Sequence, residues 1–279
     1  MKTITLHRDE IYTGNLILVN KHHPHRANIK NKPLEYGESN ILLDRQLQTT
    51  YSKVLDEINA NGKIITVSGF RTEQEQEQIY QNSLQENGEE FTSKYVALPG
   101  HSEHQTGLAV DVALNETDID FIRPKFPSSG ICEAFRAKAN YFGLIERYPK
   151  NKEDITGIAY EPWHFRYVGA PHSIIMKTTG DTLEEYHERL KNYRYGENPL
   201  EFEFGNSSIE ISYLGANSSQ NCENAQLTSR NEVEVNGNSN GNQISEPSNN
   251  CVTFSIENDV IYTVSGNNVD GFIITKWRR

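Results

Sequence analysis

The run Pro99-Gly-His-Ser-Glu-His-Gln-Thr-Gly-Leu-Ala-Val-Asp-Val-Ala-Leu114 passes from a glycine-flanked loop into an alternating apolar segment. Its larger apolar residues recur at every second position from Leu108 to Leu114, which predicts a strand with one buried face. Asp111 lies on the other face, between two alanines. A carboxylate in so apolar a strand must be compensated by a cation or by hydrogen bonds. Its small neighbours leave room for an ion or a substrate.

A second polar cluster, Tyr160-Glu-Pro-Trp-His164, stands later in the chain at the start of a predicted strand over 158–168. The two clusters together offer His104, Asp111 and His164, a set that can hold zinc and leave a fourth position for water. Glu161 would then be the base that activates this water. A buried His–Asp pair is also a common structural hydrogen bond, so both interpretations stay open at this point.

Other histidines are weaker candidates for a metal site. His101 is an alternative ligand, but it precedes the last turn of the loop. His22-His-Pro-His25 stands between Lys21 and Arg26, a setting that is more typical of a solvated loop.

Three further residues have both a structural and a functional interpretation. Arg71 follows the buried strand predicted over Lys63–Val67, so it is either a salt-bridge partner or a fixed cation facing a developing oxyanion. Gln76 lies on the inward face of the next helix, where it either packs or contacts a substrate. Ser102 either caps its loop or binds a substrate terminus.

The surrounding pattern predicts alternating helices and strands. Helices are predicted over 44–60 and 130–142, and a capping box, Thr72-Glu-Gln-Glu75, opens another. Leu16–Val19 is predicted as a strand, 86–99 and 115–129 as loops, and 171–178 and 181–193 as helices.

The composition changes after residue 195. Alternating segments predict strands over 201–204, 209–213, 252–256, 260–264 and 272–275. Residues 215–250 are rich in Asn, Ser, Gly and Gln and predict a mobile loop. We therefore expect two parts, 1–195 and a β-rich extension, 196–279.

Bulk properties exclude several classes of protein. The net charge of −11 disfavours nucleic acid and anionic membranes as partners. No run approaches the length of a membrane span, and the N-terminus lacks the apolar core of a signal peptide. The three cysteines have no C-x-x-C spacing, which favours a reducing compartment. A Cys222–Cys251 bridge is conceivable but not favoured. We expect a cytoplasmic protein.

Three motifs in order carry a resemblance to a known family. They are Ser68-Gly-Phe-Arg71 followed by Gln76, Ser102-x-His104-x-x-Gly107-x-Ala109-x-Asp111, and Glu161-x-Trp163-His164. Over about residues 10–180 the chain resembles the VanY-type D-alanyl-D-alanine carboxypeptidases and the bifunctional VanXY D,D-peptidases. This group also includes VanX dipeptidases and the zinc domain of hedgehog proteins.

The resemblance implies a role for each matching residue. His104, Asp111 and His164 match the zinc ligands, and Glu161 matches the catalytic base. Arg71 matches the arginine that stabilises the tetrahedral intermediate. The remaining two motif positions line the substrate pocket: Ser102 and Gln76.

The resemblance also implies a fold and an activity. The fold is α+β, with helices packed on a mostly antiparallel sheet and a small C-terminal β appendage. Residues 1–195 are the catalytic domain, which removes D-alanine from precursors that end in D-Ala-D-Ala, either the free dipeptide or a UDP-linked muramyl pentapeptide. This activity would confer vancomycin resistance. A strict dipeptidase, an L,D- or endolytic peptidase and a non-catalytic binding module are the alternatives.

Overall fold

The computed structural model describes residues 2–26, 33–37, 40–217, 251–258 and 260–278. Its central sheet has four antiparallel strands in the order β4-β5-β7-β6. These strands are β4 (Ile64–Ser68), β5 (Ala109–Leu114), β6 (Leu144–Tyr148) and β7 (Glu161–Tyr167). The helices α1 (Arg45–Glu57) and α3 (Gly130–Ala139) contribute to the hydrophobic core beside this sheet. The predicted α+β class is therefore confirmed.

The alternation seen in the sequence of β5 decides which face meets the helices. Val110 and Val112 are fully buried in the core cluster, together with Phe135 of α3 and Leu47 of α1. Asp111 therefore lies on the opposite face of the sheet, as predicted, and this face carries the polar residues described below.

Helix α2 (Glu73–Tyr95) is longer than the sequence indicates. It begins at the predicted capping box of Thr72 and Glu75, but it continues beyond Gly88, whose φ is 81°. The predicted loop over 86–99 is thus wrong for its first ten residues, although the segment after Tyr95 is irregular. The glycine interrupts the helical pattern, and this interruption accounts for the wrong boundary.

The N-terminal segment also departs from the prediction. Leu16–Val19 is buried but does not form a strand. The backbone N–H of Leu18 donates to Asn267 of the C-terminal part, and the carbonyl of Ile17 accepts from the Arg166 side chain. The strand at this end of the chain is instead β1 (Lys2–His7), which pairs with β10 (Cys251–Ile256). A short hairpin of β2 (Leu34–Tyr36) and β3 (Leu42–Asp44) follows it.

Strand β6 and a short helix, α4 (Glu153–Thr156), are not among the predicted elements. The helices predicted over 171–178 and 181–193 are confirmed as α5 (His172–Thr179) and α6 (Leu183–Leu190). Residues 115–129 form no helix or strand, as predicted. None of the helices among the described residues is both long and apolar enough to cross a membrane.

The predicted C-terminal strands are confirmed as a four-stranded sheet in the order β11-β12-β9-β8 and as the β1–β10 pair. The four strands are β8 (Leu200–Phe204), β9 (Ser207–Gly215), β11 (Ile261–Gly266) and β12 (Gly271–Arg278). Most of the predicted loop over 215–250, including Cys222, lies outside the described residues. Cys251 is disulfide-bonded, and Cys132 is free and buried.

The extension shares its core with the remainder of the chain. Ile145 and Ile175 belong to one buried cluster with Ile209, Ile211 and Ile273 of the C-terminal sheet. The division at residue 195 therefore stays a prediction about sequence organisation, and the apolar contacts cross it.

Gly266 provides a test of this packing. A Cβ atom at Gly266 would collide with the backbone of Ile11, and the Gly266 N–H donates to the carbonyl of Thr13 at 2.8 Å. We expect Gly266→Ala to lower the free energy of unfolding by about 1–3 kcal/mol, because the backbone at Ile11 or at residue 266 has to move to make room for the new methyl group. Urea denaturation measures this. Gly215→Ala in β9 is the control, since its Cβ would meet only ordinary contacts. An equal loss in both variants would contradict the packing described.

Candidate metal centre

Two neighbouring strands place Asp111 and His164 side by side. The register of β5 and β7 pairs the two residues directly, so both side chains extend from the same face of the sheet. His164 Nδ1 lies 2.8 Å from Asp111 Oδ1. A bulge between β4 and β5 then brings Ser68 opposite Asp111, next to the segment that carries Arg71.

His104 comes from the loop that precedes β5. A 3-10 turn, Glu103–Thr106, is capped by Ser102, whose Oγ accepts from the His104 N–H, and it ends at Gly107 with φ 72°. His104 Nδ1 lies 2.7 Å from the Gly69 carbonyl oxygen. Because a carbonyl only accepts, Nδ1 carries the proton. The other nitrogen, Nε2, lies 3.1 Å from Asp111 Oδ2.

These three side chains form a set suited to a metal ion. His104, Asp111 and His164 are buried, and each offers one ligand atom within 4.8 Å of the others. Two imidazole nitrogens and one carboxylate oxygen are ligands that zinc commonly takes in catalytic sites. The residues present therefore fit the metal that the sequence predicts. His101 is not part of this set, and its Nδ1 lies 2.8 Å from the Asn20 carbonyl oxygen.

The charges of the centre are strongly coupled. Burial lowers the pKa of His104 to about 4, and the nearby Arg71 guanidinium acts in the same direction. Burial would raise the pKa of Asp111, but His104 and His164 outweigh it and hold this pKa well below its usual range. Asp111 is thus an ionised carboxylate in a buried site, which is the form that a cation needs.

Glu161, the first residue of β7, lies at the edge of this set. Its Oε2 is 3.9 Å from His164 Nδ1, and burial raises the pKa of Glu161 to about 8. A carboxyl group with a pKa near neutrality can both accept and donate a proton, which is the property of a general acid and base.

Arg71 and Gln76 form a pair on the other side of Asp111. Arg71 Nη2 lies 3.8 Å from Asp111 Oδ2, and Arg71 Nη1 donates to Gln76 Oε1 at 3.1 Å. The Gln76 amide then donates to the Ala97 carbonyl at 2.7 Å. Gln76 therefore fixes the guanidinium and the segment that follows α2 at the same time.

A cavity of ≈ 360 Å³ brings the predicted residues together. Its lining contains all seven of them: Arg71, Gln76, Ser102, His104, Asp111, Glu161 and His164. Further lining residues come from α2 and the 115–129 loop, including Ile79, Phe121 and Ile122. The cavity is therefore bounded in part by α2, which carries Gln76, and by the 115–129 loop.

Known proteins with a similar sequence include D-alanyl-D-alanine carboxypeptidases. Residues 40–170 match the family model described as VanY, D-alanyl-D-alanine carboxypeptidase. The bifunctional D-Ala-D-Ala dipeptidase and D-Ala-D-Ala carboxypeptidase VanXYC of Enterococcus gallinarum is 42% identical over 179 residues, which are 63% of this chain and 94% of that protein. A D-alanyl-D-alanine carboxypeptidase of Enterococcus faecium is 31% identical over 98% of this chain and 78% of its own length.

The chain belongs to the VanY family of D-alanyl-D-alanine carboxypeptidases.

Solved structures of VanY-family relatives agree with this assignment. The vancomycin resistance D,D-dipeptidase VanXYg, in complex with a D-Ala-D-Ala phosphinate analogue, covers 99% of both chains at 44% identity with a TM-score of 0.86. The D,D-pentapeptidase VanY from a VanB-type resistance cassette, in complex with Zn(II), covers 62% of this chain and 98% of its own at 32% identity and a TM-score of 0.52. The VanXYg likeness extends through the C-terminal sheet.

Sequence reasoning gave no role to Glu103, which lies between Ser102 and His104. Its carboxylate is completely buried and accepts from Arg147 Nε and Arg166 Nη1, each at 2.8 Å. These arginines hold the pKa of Glu103 well below its usual range in spite of its burial. The sequence carries no signal for this cluster, because its partners come from β6 and β7 and only the fold brings them together.

The Arg71–Gln76 pair yields a test of the pocket's rigidity. Gln76→Leu would leave the partly buried Ala97 carbonyl and Arg71 Nη1 without this amide, and losing such bonds costs about 1–3 kcal/mol of unfolding free energy. We expect a lower melting temperature in calorimetry. Gln81→Leu makes the same change on an exposed face of α2, where the Gln81 amide donates to Glu77, and should have little effect. Equal melting temperatures for Gln76→Leu and the unaltered chain would contradict this role.

Proposed function

We propose that this chain is a zinc-dependent D,D-peptidase that releases the C-terminal D-alanine from peptides ending in D-Ala-D-Ala. The observation that carries the proposal is the convergence of His104, Asp111 and His164 with Glu161 and Arg71 in one cavity. The end-to-end likeness to a D,D-dipeptidase that binds a D-Ala-D-Ala analogue supports the choice of substrate.

His104, Asp111 and His164 would hold the zinc ion through His104 Nε2, one Asp111 oxygen and His164 Nδ1. When bound, zinc supplies Lewis-acid chemistry, which polarises a carbonyl group and favours ionisation of a water molecule.

Glu161 is the proposed proton carrier of the reaction. Its carboxylate accepts a proton from the water that attacks the scissile carbonyl carbon. Once the C–N bond breaks, Glu161 returns this proton to the departing amine of D-alanine. The pKa of about 8 that burial gives Glu161 supports both halves of this cycle near neutral pH.

Arg71 is the proposed electrostatic partner of the carbonyl oxygen. Negative charge develops on this oxygen as water attacks, and a cation held in place beforehand stabilises it without reorganising. Gln76 keeps the guanidinium in position through the bond at 3.1 Å. Ser102 and Gln76 line the cavity and are the proposed substrate-contacting residues.

The substrates that we propose are the free dipeptide D-Ala-D-Ala and the longer UDP-linked muramyl pentapeptide. The bifunctional VanXYC relative, which matches over 94% of its length, supports action on both classes. A strict dipeptidase is the second candidate, since VanXYg carries the name D,D-dipeptidase. Removing D-Ala-D-Ala termini would deplete the target of vancomycin, so we also propose a role in resistance to this drug.

The proposal places the chain in the cytoplasm, where a nucleotide-linked precursor would be found. The disulfide-bonded state of Cys251 counters the cysteine argument for a reducing compartment, because disulfides seldom persist there. The proposed location therefore rests on the substrate alone.

Glu161→Gln tests the proton carrier. We expect turnover to fall by about 10²–10⁴-fold, since general acid–base catalysis contributes about this much. Bound zinc, measured by elemental analysis, should remain because Glu161 is not one of the three ligands. Glu153→Gln, which makes the same change at an exposed residue of α4, serves as the control. Full activity in Glu161→Gln would remove this residue from the mechanism.

Release of D-alanine tests the activity itself. The purified chain should liberate two D-alanines from each free dipeptide and one from each UDP-linked pentapeptide. A chelator should abolish both reactions, and added zinc should restore them. Release from the dipeptide alone would favour the strict dipeptidase. No release from either substrate would refute the proposed function. L-Ala-D-Ala and tetrapeptide substrates would then test the alternative of an L,D-peptidase.

A further inference from the structure

The two oxygens of the Glu103 carboxylate have different surroundings: one is hydrogen-bonded to arginines, and the other faces His164, a proposed metal ligand. Oε1 accepts from Arg147 Nε and Arg166 Nη1 at 2.8 Å. Oε2 lies 3.5 Å from His164 Nε2. Among the described residues, neither Glu103 Oε2 nor His164 Nε2 has a hydrogen-bond partner of normal geometry, and both atoms are buried.

The position of Glu103 matters because an imidazole can use only one nitrogen for a metal. His164 Nδ1 faces Asp111 Oδ1 at 2.8 Å, so this nitrogen is the one on the side of the metal set. To bind a cation, Nδ1 must be free of its proton, and the proton then resides on Nε2. An ionised carboxylate opposite Nε2 favours this tautomer and makes Nδ1 a stronger ligand.

Glu103 cannot swing away, because both of its arginines are themselves held. Arg147 donates to the two Glu184 oxygens at 2.9 and 2.7 Å. Arg166 Nη2 donates to the carbonyls of Asn15 and Ile17 at 3.0 and 2.9 Å. The carboxylate therefore has a fixed place and a fixed charge behind the histidine.

We propose that Glu103 is a positioning residue for the metal centre, which holds His164 in the orientation and tautomer that present Nδ1 to the ion. The proposal rests on the proposed zinc site. His104 is held in a different way, since its Nδ1 donates to the Gly69 carbonyl. The two imidazole ligands thus carry their protons on opposite nitrogens, one facing a backbone oxygen and the other a carboxylate.

A simpler role for Glu103 would be to neutralise two buried arginines. Glu184 offers a matched control, because it is also a carboxylate bound to Arg147 and makes no contact with His164 among the interactions described. Glu103→Gln and Glu184→Gln each remove one negative charge from the same arginine. Only the first removes the anion that faces the metal ligand.

The experiment measures the zinc dissociation constant of the purified full chain by competition with a chromogenic chelator. We expect Glu103→Gln to bind zinc about 10–100-fold more weakly, as is usual when the partner of a metal-bound histidine is lost. Glu184→Gln should stay within about twofold of the unaltered chain, even if its melting temperature falls. Unchanged zinc affinity in Glu103→Gln, or an equal loss in both variants, would overturn the proposal.

A second measurement needs no variant, should Glu103→Gln fail to fold. Long-range ¹H–¹⁵N spectra of the zinc-loaded chain report which ring nitrogen of each histidine carries a proton. We expect one metal-bound ring protonated at Nδ1 and the other at Nε2. Two metal-bound rings protonated at Nδ1 would overturn the proposal. Failure of the unaltered chain to bind zinc would instead refute the proposed function, so the two failures are distinguishable.

Discussion

The position of Asp111 in the middle of an apolar strand is the constraint on which the centre depends. Its two oxygens contact His164 Nδ1 at 2.8 Å and His104 Nε2 at 3.1 Å, and Arg71 lies 3.8 Å away. An isolated buried carboxylate would be strongly destabilising, so the strand is tolerated only with these partners or a cation. Because β5 is hydrogen-bonded to β4 on one edge and to β7 on the other, the Asp111 carboxylate has a fixed place, and the two histidines converge on it.

Two carboxylates in the same cavity are driven in opposite directions by their surroundings. Burial would raise the pKa of Asp111, but the two imidazoles that flank it keep this pKa low. For Glu161 burial is the largest effect, and its pKa rises to about 8. Because their pKa values differ in this way, two chemically similar carboxyl groups are suited to different roles. The ionised group is suited to binding a cation, and the other is suited to transferring protons. Because both carboxyl groups are buried, the charged partners of each one, and not burial itself, distinguish the two residues.

The sequence was informative wherever local periodicity decides the outcome. The alternation around Asp111 predicted its face correctly, and the Thr72 capping box predicted the start of α2. The strand predicted over Leu16–Val19 is wrong because a run of four apolar residues can be buried either in a strand or in an irregular segment. Glu103 could not be found at all, since an acidic residue in a loop looks solvated until the fold surrounds it with arginines.

The C-terminal extension is connected to the metal centre through a continuous series of buried polar contacts. Asn268 Nδ2 donates to the Leu18 carbonyl at 2.7 Å, which fastens the N-terminal segment to the β11–β12 turn. The carbonyls of that segment then accept from Arg166, which bonds to Glu103 behind His164. The irregular path of Leu16–Val19 has a physical explanation in this arrangement. Its free carbonyls solvate a buried guanidinium, which they could not do if a sheet partner occupied them. The described residues of the extension thereby support the rear of the site, and none of them is among the residues that line the cavity.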